Sequence, residues 1–318
     1  MRIVKTAISL ALSASALLYS SSALAEIHIL AAIKPLELLV RAVATEDMHS
    51  STLVPAGSSP HNYSMAPSKR RALEDADVIF WVGPEMETFL SRLLTGSEFG
   101  ERSVALMEPD DDHSSNDKSH EEQSHEEQSH EEQSHEHKHD HGDGEDPHIW
   151  VDPQMAVTMA ESIRDTLAGL DGADKPALDR NLERFRAAIA QKEAHIRKQL
   201  EPLQDVSLFA YHSAFTRFAE HYNLKVEGVL TLNPELSPGA RHIADVQNSL
   251  RSANHPCLLT EPQFNRQWWR SITEGLDVRF STWDPLATDI DATTNGYEAF
   301  QQSIADAVLK CLPENAEH

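Results

Sequence analysis

Residues 78–82 read VIFWV, a run with no polar face. A strand that is apolar on both sides has to be covered on both sides, which is the situation of a central strand in a parallel sheet lying between helices. The chain around it agrees with this. Residues 27–32 form an apolar run, and 35–44 carry Leu36, Leu39, Val40 and Val43 at helical spacing. A short β-prone run at 51–54 leads into a loop of Pro, Gly and Ser, and 67–76 reads as a helix. Gly83-Pro84 then turns into a predicted helix with Glu85 and Glu87 in its first turn, where carboxylates suit the helix dipole.

The alternation is repeated in the second half. Strands are predicted at 206–210, 225–230, 257–260 and 278–281, and helices at 214–221, 238–250, 266–274 and 297–312. Between the halves, 153–170 is helical, and a longer helix runs from Pro176 to Pro202. Its apolar residues Leu178, Leu182, Phe185, Ile189, Ile196, Leu200 and Leu203 follow one another at steps of three, four or seven, a single narrow stripe on a rod about 40 Å long. The expected fold is α/β: two Rossmann-like lobes with parallel sheets (26–170 and 205–318), joined by one long rigid helix within 171–204.

The first residues stand apart. Arg2 and Lys5 precede an apolar run at 7–19, and Ala23-Leu24-Ala25 has the small-x-small form of a cleavage site. This is a signal peptide by pattern (1–25), with the mature chain expected to start at Glu26. No cysteine lies near that point to accept a lipid, and no later segment approaches the roughly 20 apolar residues that a membrane span needs. The two cysteines, Cys257 and Cys311, are an even count in an exported chain and are expected to form one disulfide rather than a thiolate metal site.

The net charge is −24, and −14 of it lies between Glu108 and Asp146, where sixteen acidic residues face only Lys118 and Lys138. Such a charge argues against nucleic acid and anionic membranes as partners and for cations. Within this stretch Ser-His-Glu-Glu-Gln occurs three times in succession from Ser119 to Gln133. The tract (110–146) holds His113, His120, His125, His130, His135, His137, His139 and His141. With almost nothing apolar to bury, it is expected to be disordered. Neutral imidazole binds zinc, copper and nickel, so eight histidines, spaced by five and then by two from His120 onward, point to auxiliary metal capture rather than an inert spacer.

In open α/β sheets ligands bind beyond the carboxyl ends of the strands. Metal-competent side chains placed just after predicted strands, or where ordered sequence resumes, are His61, His148, His212 and Asp284. These three imidazoles and one carboxylate, two from each half, are expected to meet in the interlobe cleft. No His-Glu-x-x-His helix occurs, which counts against a zinc hydrolase, and no catalytic residue is assigned.

Six segments carry a family resemblance: SSPHNYSMAPS (58–68), WVGPEME (81–87), DPHIWVDP (146–153), YHSAF (211–215), EPQF (261–264) and DPLA (284–287). Occurring in this order over nearly the whole mature chain, they resemble the metal-binding receptors of bacterial ABC importers, most closely the zinc-specific members. The resemblance implies two α/β lobes on a rigid helix and a metal in the cleft held by residues matching His61, His148, His212 and Asp284. It also implies a monomer in the periplasm of a Gram-negative cell that delivers Zn2+ to an inner-membrane permease and its ATPase. Manganese members carry a carboxylate at the position of His212, and three imidazoles suit the softer Zn2+. Some zinc members have an acidic residue directly before the first histidine. Here it is Pro60, which leaves Asp284 or a water as the fourth ligand.

Overall fold

The computed structural model describes residues 26–107, 146–231, 239–264 and 266–312. The signal peptide and the histidines of the tract lie outside the described residues. The first half orders β1 (Ile27–Ala31), α1 (Lys34–Val43), β2 (Met48–Thr52), α2 (Pro67–Asp75), β3 (Val78–Trp81), α3 (Thr88–Leu94) and β4 (Ser103–Ala105). Two helices follow, α4 (Pro153–Ala168) and α5 (Lys175–Leu200). The second half then runs β5 (Leu208–His212), α6 (Thr216–His221), β6 (Val226–Thr231), α7 (Ala240–Ser252), β7 (Cys257–Thr260), α8 (Arg266–Thr273), β8 (Arg279–Thr282) and α9 (Gly296–Leu309).

Both sheets are parallel throughout and have the same order, β2-β1-β3-β4 and β6-β5-β7-β8. In each, the chain starts on an inner strand, moves to one edge and then crosses to the other side. This puts a switch point beside β1 in the first sheet and beside β5 in the second, where strand ends diverge and leave a crevice. The four residues of β3 are all buried, as the apolar run requires. Leu178, Leu182, Phe185, Ile189, Ile196 and Leu200 are the buried stripe of α5. Asp152 caps α4, its Oδ1 accepting from the amides of Gln154 at 2.6 Å and Met155 at 3.2 Å, with Pro153 at the first helical position.

The predicted first turn at Glu85 and Glu87 is corrected. Residues 84–86 form a turn, α3 starts at Thr88, and Glu87 is fully buried. Its carboxylate accepts from the amides of Val82 (3.2 Å) and Gly83 (3.1 Å), closing the turn after β3. Burial pushes the Glu87 carboxyl up to about 7, against those amide bonds, which favour its charged form.

The two halves share one core. Leu36, Leu38 and Leu39 of α1, Phe185 and Ile189 of α5, and Tyr297, Phe300 and Ile304 of α9 belong to a single buried cluster. α9 can lie this close only because it begins with Gly296. A Cβ there would sit 2.8 Å from Leu38 Cδ2 and 2.7 Å from the Asp291 carbonyl oxygen. Hydrogen bonds reinforce the junction. The Trp150 indole donates to the Pro285 carbonyl at 2.8 Å, the Tyr297 hydroxyl to the Trp150 carbonyl at 2.9 Å, and the Gln301 amide to the Val151 carbonyl at 3.0 Å. The Cys257–Cys311 disulfide ties the start of β7 to the residues after α9, with Cα atoms 5.6 Å apart. Among the described residues no helix is long and apolar enough to cross a membrane.

Candidate metal centre

Three histidines from distant parts of the chain converge at the carboxyl ends of the two sheets. His61 sits in the loop between β2 and α2, its amide donating to Ser59 Oγ at 3.3 Å. His148 precedes the short 3-10 turn Ile149–Val151. His212 is the last residue of β5, a strand that runs two residues further than the sequence pattern suggests. Ring centroids are 5.3 Å apart for His61 and His148, 5.4 Å for His61 and His212, and 4.6 Å for His148 and His212. One ligand nitrogen from each lies within 4.8 Å of the others.

The Nε2 atoms of His61 and His148 are 3.3 Å apart. Metal–nitrogen bonds of about 2.0–2.1 Å in tetrahedral geometry separate ligand nitrogens by about 3.3 Å. That pair is therefore already at ligand spacing. His148 and His212 are 3% and 2% exposed, while His61 is half-buried. Met86, Trp150, Phe264, Pro285 and Leu286 close a small apolar wall around the three rings.

Electrostatics disfavour protonation of His61 and His148. Burial, and then the neighbouring His148 and His212, lower the His61 imidazole to about 3, with Asp146 opposing. Burial also lowers His148, against its hydrogen bond to Asp146. Adjacent cations are costly in a dry pocket, so for His61 and His148 the unprotonated, metal-binding form is the one the fold selects.

Asp146 was not among the residues read from the sequence. Its Oδ1 lies 2.5 Å from His148 Nδ1 and accepts the His148 amide at 3.0 Å. That contact leaves Nε2 to point into the centre, the arrangement by which a carboxylate orients a metal-binding imidazole. Burial pushes the Asp146 carboxyl up, but His148 and Arg217 outweigh it and hold it below its usual range. The signal was present in Asp-Pro-His, a carboxylate two residues before the imidazole.

Asp284, expected as the fourth ligand, is not in the cluster. Its Oδ1 accepts from the Leu286 amide at 3.0 Å and the Gln263 side chain at 2.5 Å, and its Oδ2 from the Thr288 amide at 2.7 Å. The Asp-Pro turn after β8 claims the carboxylate for itself, as Asp commonly does two residues ahead of a free amide. The eight tract histidines, His113 to His141, lie outside the described residues.

Comparison with known proteins agrees with this fold. The high-affinity zinc uptake system protein ZnuA of Yersinia pestis is 34% identical over 312 residues, covering 95% of this chain and 96% of that one. Its counterpart from Haemophilus influenzae is 31% identical and covers 94% and 96%. Among solved structures, a crystal structure of ZnuA superposes with a TM-score of 0.66 at 22% identity, covering 89% of this chain and 99% of that one. The periplasmic zinc binding protein TroA from Treponema pallidum does so with a TM-score of 0.68 at 16% identity, covering 89% and 99%. At those identities the two structures speak for the fold. The model of the family described as zinc-uptake complex component A, periplasmic, matches residues 29–311, and with these relatives it establishes that the chain belongs to the ZnuA family.

Proposed function

We propose that this chain is a periplasmic solute-binding protein that captures Zn2+ on His61, His148 and His212 and delivers it to an inner-membrane ABC permease driven by its ATPase. The observation that carries the reading is the convergence of three imidazoles, two of them buried, with one ligand nitrogen from each within 4.8 Å of the others and the His61–His148 pair at tetrahedral ligand spacing. Three nitrogen donors suit Zn2+, whereas manganese prefers an oxygen-rich shell. A water is the simplest fourth donor, since Asp284 is outside the histidine cluster and its oxygens accept from the amides of Leu286 and Thr288. The ion is cargo, and no reaction is assigned. The acidic tract serves as auxiliary capture outside the cleft, and 26–170 and 205–318 are the two lobes on either side of α5. The protein acts as a monomer.

Deleting 110–143 tests the reading. Calorimetric titration of the deletion protein with zinc is expected to show one tight site, and the intact chain that site plus weaker ones. Loss of tight binding on deletion would move the site to the tract.

Acid should separate the two kinds of site. His61 is held near 3 in the fold against about 6.5 in an unfolded chain. Between those values the unfolded state binds more protons, so metal-free stability falls as pH drops below about 6.5 and levels off near pH 3. For the same reason zinc displaces no proton from His61 at neutral pH. In the tract, adjacent glutamates favour protonated imidazole. Equilibrium dialysis between pH 7.5 and 5 should show the tract losing zinc first and the cleft retaining it.

A further inference from the structure

His148 and His212 face the centre in the same way, yet only His148 has an established partner on its outer nitrogen. On the outer side of His212 stands Glu261, whose Oε1 is 3.4 Å from His212 Nδ1. The side chains of the pair are 3% and 1% exposed. Both ring nitrogens of His212 and Glu261 Oε1 are buried without a hydrogen-bond partner among the described residues. Three orphaned polar atoms in one pocket are costly to a fold, and such groups cluster at functional sites.

The juxtaposition is built into the sheet. β5 and β7 are parallel neighbours paired Leu208↔Cys257, Phe209↔Leu258 and Ala210↔Leu259. Extending that register by two residues sets His212 opposite Glu261, and parallel partners project to the same face. Glu261 also lines the pocket with the three histidines, and Phe264, three residues on, packs edge-on against the His212 ring.

We propose that Glu261 is the positioning residue for His212, its Oε1 accepting the Nδ1 proton and so fixing the tautomer that presents bare Nε2 to the ion. It does for His212 what Asp146 does for His148. Acceptance of that proton requires the 3.4 Å contact to shorten to hydrogen-bond length. The role in ion binding rests on the zinc reading above, but the tautomer does not.

The test is long-range 1H–15N correlation of histidine rings in the intact mature protein, metal-free and zinc-loaded, with the His212 signals assigned by their loss in His212→Asn. In the metal-free protein His212 is expected as the Nδ1–H tautomer. In Glu261→Gln, whose amide either accepts from or donates to Nδ1, a mixture is expected, and the zinc Kd rises about 10- to 100-fold. His148 keeps its tautomer in both. An Nε2–H tautomer in the metal-free native protein overturns the proposal. So does a Kd that rises while the His212 tautomer stays unchanged, since a structural role alone would then account for it. Should the native protein bind no zinc at the triad, the functional reading fails, while the metal-free tautomer still decides the role of Glu261.

Discussion

Replacing His212 by alanine removes the tight zinc site. Structural zinc sites with four ligands are worth about 10–16 kcal/mol, so one imidazole contributes roughly 3–4 kcal/mol and its loss raises Kd several hundredfold. The expected result, read by chelator competition in the 110–143 deletion background, is a weak residual site on His61 and His148. His61→Ala should behave similarly, because its Nε2 lies 3.3 Å from that of His148. Unchanged tight binding in His212→Ala would remove the ion from this centre.

The second large effect is on folding. The Cys257–Cys311 bridge spans a separation of 54 residues, and in the chain-entropy model such a loop stabilises by about 4 kcal/mol. Both cysteines are completely buried. Changing both to serine should lower the denaturation midpoint by about 10 °C, using roughly 2–4 °C per kcal/mol for a chain of this size. Zinc affinity should change less than about threefold. Cys257 begins β7, whereas the metal pocket lies beyond the strand's other end, about 13 Å away at 3.3 Å per residue. A large loss of zinc binding in the double serine variant would show that the centre depends on that distant staple.

Much of this architecture is legible in the chain because it rests on local periodicity. The VIFWV run and the stripe from Leu178 to Leu200 need no knowledge of distant contacts. His61 and His212 follow from a rule about strand ends and His148 from the point where ordered sequence resumes, and they are the residues found within 4.8 Å. Other features have no such signature. β4 is only three residues, none of them fully buried, and is recognised only through its pairing with β3. Glu87 looks like a helix-start carboxylate, but burial against the amides of Val82 and Gly83 gives it another role. Asp284 satisfies the strand-end rule, yet two amides of its own turn compete successfully for its oxygens. Glu261 obeys the same rule and becomes visible only when the register of β5 against β7 is known.

The unequal exposure of the three imidazoles has a consequence for traffic. Two are buried beside Trp150, and α1, α5 and α9 share one core that joins the two halves. Only the loop ahead of α2 brings its imidazole out toward solvent. On the zinc reading proposed above, the ion enters and leaves beside His61, and whatever takes it up approaches that doorway and loosens the least buried of the three imidazoles.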